Sequence, residues 1–215
     1  GCRQVTVTRD TLKEAAQSAH LTPWQFRVAS PVLQVGHIYG LGVAGYWGNT
    51  IEIEAVVHPL GNREKGAIHF NDTAGSMARD SVTNASSVVR MITGKNLSDY
   101  DVHVNVVGGG NIDGPSAGAA ITCAIISALT GKPLRQDIAV TGEISLSGRI
   151  KPVGGIAEKA FGAHQGGMKA ILIPKQNALD MGSEYMHMKV IPVDTIQDIL
   201  EHMLARKKQK MKGSK

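Results

Sequence analysis

Residues 117–129 read AGAAITCAIISAL, a run with no charged side chain and little polarity. Apolar residues fall on every side of a helix built from this run, so it must be buried all round rather than lie on a surface. It is also too short for a bilayer, which needs about 20 apolar residues. A chain containing it has to wrap other elements around it. With 215 residues, 42% of them hydrophobic and 19% charged, this chain has enough material for that core in one or two domains.

The residues on either side suggest how the helix is surrounded. TIEIEAVV (50–57) alternates apolar and polar and reads as a strand, as does YDVHVNVV (100–107). VLQVGHIYGLGVAG reads as a strand entering a hairpin, with YWGNT (46–50) as its turn. KGAIHF, KAILIP and MKVIPV are further strands. DIAVTGEISLSGRI is strand-like around a glycine turn. Residues 75–93 carry Val82, Ala85, Val88, Val89 and Ile92 at helical spacing, GGIAEKAFGAHQGG is a short helix closed by glycines, and TIQDILEHMLARKK is a final amphipathic helix. The fold class is therefore mixed α/β, with βαβ spacing in the second half. Residues 1–30 read as a helical remnant of a preceding domain, 31–206 as the folded unit, and 207–215 as a basic flexible tail.

The charge balance is +5, and much of it sits in ARKKQKMKGSK. That tail has no aromatic residue to stack on bases, so a nucleic-acid partner is not indicated. Cys2 and Cys123 make no disulfide framework, which fits a reducing, cytoplasmic setting. No run is long enough to span a membrane, and no signal-peptide pattern is present. The chain opens on Gly1 and reads as part of a longer protein.

Immediately before the apolar run stands NIDGPS. A helix start offers unpaired N–H groups and a partial positive charge. Pro115 suits the first turn, and Gly114 allows the backbone to bend and approach a ligand. Ser116 then sits where a developing oxyanion would be stabilised. Two other readings stay open: Ser116 or Asp113 caps the helix, or the glycine-rich loop 108–116 cradles a phosphate, as in a small-molecule phosphotransferase. A serine nucleophile needs a base. His103 lies on an alternating strand with no carboxylate placed to orient it. Lys159 shares a helix face with Ile156, Ala160 and Ala163. A lysine there either snorkels its amine to solvent or, held inward, loses charge by desolvation and becomes a base, and Lys159 is the best base candidate in the chain.

Three segments then carry a family resemblance. DGPSAG (113–118), TGEISLSGRIKPVGGIAEK (141–159) and GGMKAILIP (166–174) closely resemble the proteolytic domain of Lon-family ATP-dependent proteases, in the family's order and spacing. The resemblance covers roughly residues 35–205. It implies a Ser116–Lys159 catalytic dyad, with Thr141 supporting the lysine amine and Asp113 shaping the site. It places Glu54 on a strand near the active site. It implies unfolded or damaged polypeptides as substrates, a homo-hexamer enclosing the sites, and an AAA+ ATPase module in cis. The sequence has no GxxxxGK[ST] loop. No cofactor or metal is therefore expected in this chain, and ATP and Mg belong to the ATPase module. NVVGGGNI stands where many members carry a proline–glutamate loop. A non-catalytic assembly module on the same fold is the remaining alternative.

Overall fold

The alternation in residues 51–57 becomes part of a long strand at the centre of the molecule. The computed structural model describes residues 6, 8, 11, 29–44, 47–60, 65–71, 76–107, 114–181 and 183–204. The strands are β1 (Ser30–Gln34), β2 (His37–Ala44), β3 (Trp47–Pro59), β4 (Ile68–Phe70), β5 (Tyr100–Val107), β6 (Leu134–Gln136), β7 (Ile138–Val140), β8 (Glu143–Ile144), β9 (Ile150–Lys151), β10 (Ala170–Pro174), β11 (Glu184–Tyr185) and β12 (Met188–Val193). The helices are α1 (Ser76–Thr93), α2 (Gly118–Thr130), α3 (Ile156–Gln165) and α4 (Ile196–Met203).

Eight strands join one mixed sheet in the order β11-β12-β10-β7-β2-β3-β5-β4; β1–β6 and β8–β9 form two small sheets. The middle of the large sheet, β12, β10, β7 and β2, is parallel, and β2, β3 and β5 run antiparallel. Parallel strands covered on both faces should be apolar throughout. β7 and β10 are: Ile138, Ala139 and Val140, and Ile171, Leu172 and Ile173, are all essentially inaccessible. β3 and β5 instead alternate. Ile53, Ala55, Val102, Val104 and Val106 point into the core, while Glu52, Glu54, His103 and Asn105 face the other way.

The uncharged run is the buried helix it had to be. In α2, Ala119, Ala120, Ile121, Thr122, Cys123, Ala124 and Ile125 have no exposed surface. It packs against one sheet face together with α1 and α4 in the larger core cluster. Burial raises the Cys123 thiol far above its ordinary value, so it stays protonated and inert. α3 covers the opposite face, where Ile156, Ala160 and Ala163 meet Tyr39, Leu41, Ile171 and Ile173. Thr195 and Asp198 close a reciprocal capping box at the start of α4. The backbone N–H groups of Asp194 and Thr195 donate to the Asp198 carboxylate and hold its pKa low despite partial burial.

Most of the turn expected over 46–50 is strand instead. Residues 47–50 already belong to β3 and pair with β2, Trp47 opposite Ala44 and Thr50 opposite Leu41. Gly48 and Asn49 look like turn residues, but Gly48 serves a tertiary contact, described below. The single strand expected from Val32 onward is divided by a turn at Val35 and Gly36 into β1 and β2, and β6 and β11 are strands not expected from the sequence. The N-terminal helix expected within 1–30, the loop 108–113 with Asp113, and the basic tail 207–215 lie outside the described residues. Among the described residues, no helix is long and apolar enough to cross a membrane.

Candidate active site

Ser116 does not cap a helix. It is the middle residue of a single 3-10 turn, Pro115–Ala117, that leads into α2, and among the described residues neither the turn nor the helix receives a side-chain cap. Its side chain is half-buried. Its position is set by its backbone: the Ser116 carbonyl accepts the Gly142 N–H at 2.9 Å and the Thr141 hydroxyl at 3.4 Å. The Ala119 N–H in turn donates to the Gly142 carbonyl at 3.1 Å, and the Thr141 N–H to Leu172 at 3.0 Å. The serine turn is thus laced to the segment after β7, which is itself anchored to β10.

That lacing explains the glycine in TGE. Gly142 has φ +157, and a Cβ there would lie 2.4 Å from Ile150 Cγ2. Gly114 is different. Its φ of 169 is ordinary extended backbone, and among the described residues a Cβ would meet nothing within 4 Å. The backbone angle at Gly114 is therefore not one that only glycine adopts.

Thr141 is fully buried, and its hydroxyl bonds the Ser116 carbonyl. In this structure it supports the serine turn, and no hydrogen bond runs from it to the Lys159 amine.

Lys159 is 4% exposed, on the inward face of α3 as the spacing predicts. Burial lowers its pKa to about 8, against a smaller opposing pull from the neighbouring Glu158 carboxylate. Its amine forms no hydrogen bond or ion pair with the described residues, Ser116 included. A charged ammonium left this way would be costly, whereas a neutral amine tolerates it.

A backbone-to-backbone contact seats this helix. A Cβ on Gly48 would fall 1.6 Å from the Glu158 carbonyl oxygen and 2.8 Å from the Lys159 nitrogen; a Cβ on Gly162 would fall 2.2 Å from the Gly48 carbonyl carbon. Only glycines at both positions let α3 lie this close to β3, and the closeness pushes Lys159 inward. Sequence reasoning missed this pair. The only available signal was that both glycines interrupt elements where a side chain would otherwise be expected. Gly48→Ala should therefore lower stability by about 3 kcal/mol or more, at or beyond the usual cost of overpacking, because the obstacle is backbone. The expected result is a large fall in Tm on thermal unfolding, with loss of whatever activity Lys159 supports.

His103 stands apart. It faces outward on β5, stacked on His69 at 4.8 Å between ring centroids and edge-on to His58 at 6.1 Å. Glu54 lies on the same sheet face and accepts a hydrogen bond from Asn105.

Comparison with known proteins follows the same lines. Residues 7–206 match the family model described as the Lon protease (S16) C-terminal proteolytic domain. The chain is 33% identical to an archaeal Lon protease of Pyrococcus abyssi over 95% of its length, covering 22% of that protein. It is 36% identical to Lon protease 2 of Bacillus subtilis over 92% of its length, covering 38% of that protein. It is also 36% identical to the Lon protease of Vibrio parahaemolyticus over 95% of its length, covering 27% of that protein. The chain thus spans between about a fifth and two-fifths of the curated relatives it matches.

Proposed function

Because this chain belongs to the Lon protease (S16) C-terminal proteolytic domain family, we propose that it hydrolyses peptide bonds with Ser116 as nucleophile and Lys159 as general base. The observation that carries this reading is Lys159: a buried amine without a partner among the described residues, its pKa brought down to about 8, on a helix pressed against the sheet. An ordinary lysine, with a pKa near 10.4, is almost wholly charged at neutral pH and cannot accept a proton.

The steps follow. Neutral Lys159 takes the Ser116 Oγ proton as the oxygen attacks the substrate carbonyl carbon. The carbonyl oxygen becomes an oxyanion. At this helix start the Gly118 N–H is engaged by the Pro115 carbonyl and the Ala119 N–H by Gly142. We assign the oxyanion to backbone N–H groups of the serine turn outside both bonds, the Ser116 N–H among them. The intermediate expels the amine, which receives the proton from the Lys159 ammonium. Water, deprotonated by Lys159, then cleaves the acyl-enzyme and restores Ser116. Thr141 holds the serine turn in register, and Asp113 shapes the approach to it. The hydrogen bond between Ser116 and Lys159 forms once substrate excludes water, since such bonds often tighten only in the bound complex.

The substrates in this reading are unfolded or damaged polypeptides in the cytoplasm. They are fed by an AAA+ ATPase module in cis, in a homo-hexamer whose sites face an enclosed chamber. ATP and Mg act at that module. A peptide boronate or fluorophosphonate tests the nucleophile directly: mass spectrometry should find one adduct, on Ser116, and an adduct on another residue would overturn the assignment. The 215 residues contain no Walker-type loop. Their cleavage of short unstructured peptides should therefore be unchanged by ATP, and stably folded proteins should survive. ATP-stimulated digestion of a folded protein by this chain would contradict that division of labour.

A further inference from the structure

Three side chains at the start of β2 and the middle of β3 have no task in peptide hydrolysis. His37 pairs in register with Glu54, and Glu52 with the neighbouring Tyr39. All three project from the sheet face that carries α3, and the His37 ring packs edge-on against Tyr39 at 5.4 Å.

Gln136 fixes the protonation of one ring nitrogen. Its Nε2 donates to the carbonyls of His37 at 2.8 Å and Leu134 at 3.0 Å. That settles the orientation of the amide and leaves Oε1, a pure acceptor, 2.5 Å from His37 Nδ1. Nδ1 must therefore carry its hydrogen. Nε2, on the far side of the buried ring, faces Glu52 Oε1 at 2.7 Å. In an imidazole protonated at Nδ1, Nε2 holds a lone pair, and the carboxylate presents another. Two acceptors at this separation need either a shared hydrogen or a metal ion between them.

Glu54 favours the metal. One ligand atom from each of His37, Glu52 and Glu54 lies within 4.8 Å of the others, His37 buried and both glutamates half-buried. A ring N–H held by an amide oxygen behind a ligating nitrogen is the usual outer-sphere arrangement at metal-bound histidine. An imidazole nitrogen with two carboxylates suits zinc-class ions rather than magnesium or calcium, which prefer oxygen alone. Bonds of about 2.0–2.2 Å to a central ion require only small side-chain adjustments here. We propose that His37, Glu52 and Glu54 bind a divalent cation of the zinc class, with Gln136 orienting the histidine and water completing the coordination. The ion cross-links β2 to β3, the hairpin whose other end holds Gly48 against α3.

The test is a calorimetric titration of the chelator-stripped chain with zinc chloride near pH 7.5, with Co2+ absorption as the coordination readout. One zinc should bind per chain and raise Tm, because the ion recognises the folded hairpin and not the unfolded chain. His37→Gln and Glu54→Gln should each weaken binding at least tenfold. Glu54 is half-exposed, so Glu54→Gln should keep the metal-free Tm of the parent and separate ligand loss from misfolding. His103→Ala breaks up the exposed His58–His69–His103 group and should leave the affinity unchanged. Absence of saturable zinc binding would overturn the proposal and leave a shared hydrogen between His37 and Glu52. Binding that survives Glu54→Gln but is lost in His103→Ala would also overturn it, placing the ion on the surface histidines.

Discussion

Ser116→Ala should reduce peptide cleavage by roughly a thousandfold or more, the scale seen when a serine nucleophile is removed. Its stability should barely change. The Ser116 side chain forms no hydrogen bond with the described residues, and the bonds that hold the turn come from its carbonyl, which alanine keeps. Deleting one half-buried hydroxyl oxygen leaves no orphaned partner, so the expected shift is within about 0.5 kcal/mol. Paired measurements of kcat/KM and Tm check this. Parent-like turnover in a rigorously purified variant would mean that another group attacks the carbonyl.

Lys159→Met should be equally inactive, yet it should fold at least as well as the parent. Methionine fills a similar volume and removes an amine that has no partner among the described residues from an apolar setting. The linkage has a definite sign. The folded-state pKa lies below the ordinary lysine value, so the unfolded chain binds the extra proton between about pH 8 and the ordinary value near 10.4. Stability of the parent from this group therefore rises with pH through that window, and below it the folded state carries the full cost of burying the amine. Lys159→Met has no such cost, so its advantage in Tm should be greatest at neutral pH and fade as pH rises. Lys159→Arg should be both inactive and less stable, because guanidinium stays charged and cannot be accommodated as a neutral group. Thermal melts at several pH values, with activity assays, check all three statements. A Lys159→Met variant less stable than its parent at pH 7 would show that the amine is paired, not merely buried.

Much of the site could be read before the fold. The inward face of α3 follows from Ile156, Ala160 and Ala163 at helical spacing, and that spacing alone turns Lys159 toward the core. The uncharged run at 117–129 requires a buried helix whatever surrounds it. The alternation in β3 and β5 separates Ile53 and Val104 from Glu54 and His103. What could not be read depends on contacts between distant segments. Gly48 resembles a turn residue because its neighbours are Trp47 and Asn49, and its actual constraint is Gly162 and the α3 backbone. The Thr141 hydroxyl was expected at the amine, but the bend at Gly142 brings it to the Ser116 carbonyl. Gln136 meets His37 from 99 positions away, a separation no local pattern encodes. The eight-strand sheet order likewise depends on crossovers that hydrophobic periodicity does not specify.

The central claim is that a neutral Lys159 activates Ser116. Its most direct test is the pH dependence of kcat/KM for an unstructured peptide, which reports the ionisation of the free enzyme's essential base. The profile should rise with a single proton released and an inflection near pH 8, where Lys159 loses its charge. A profile already flat by pH 7, with its inflection near the ordinary histidine value of about 6.5, would contradict the claim.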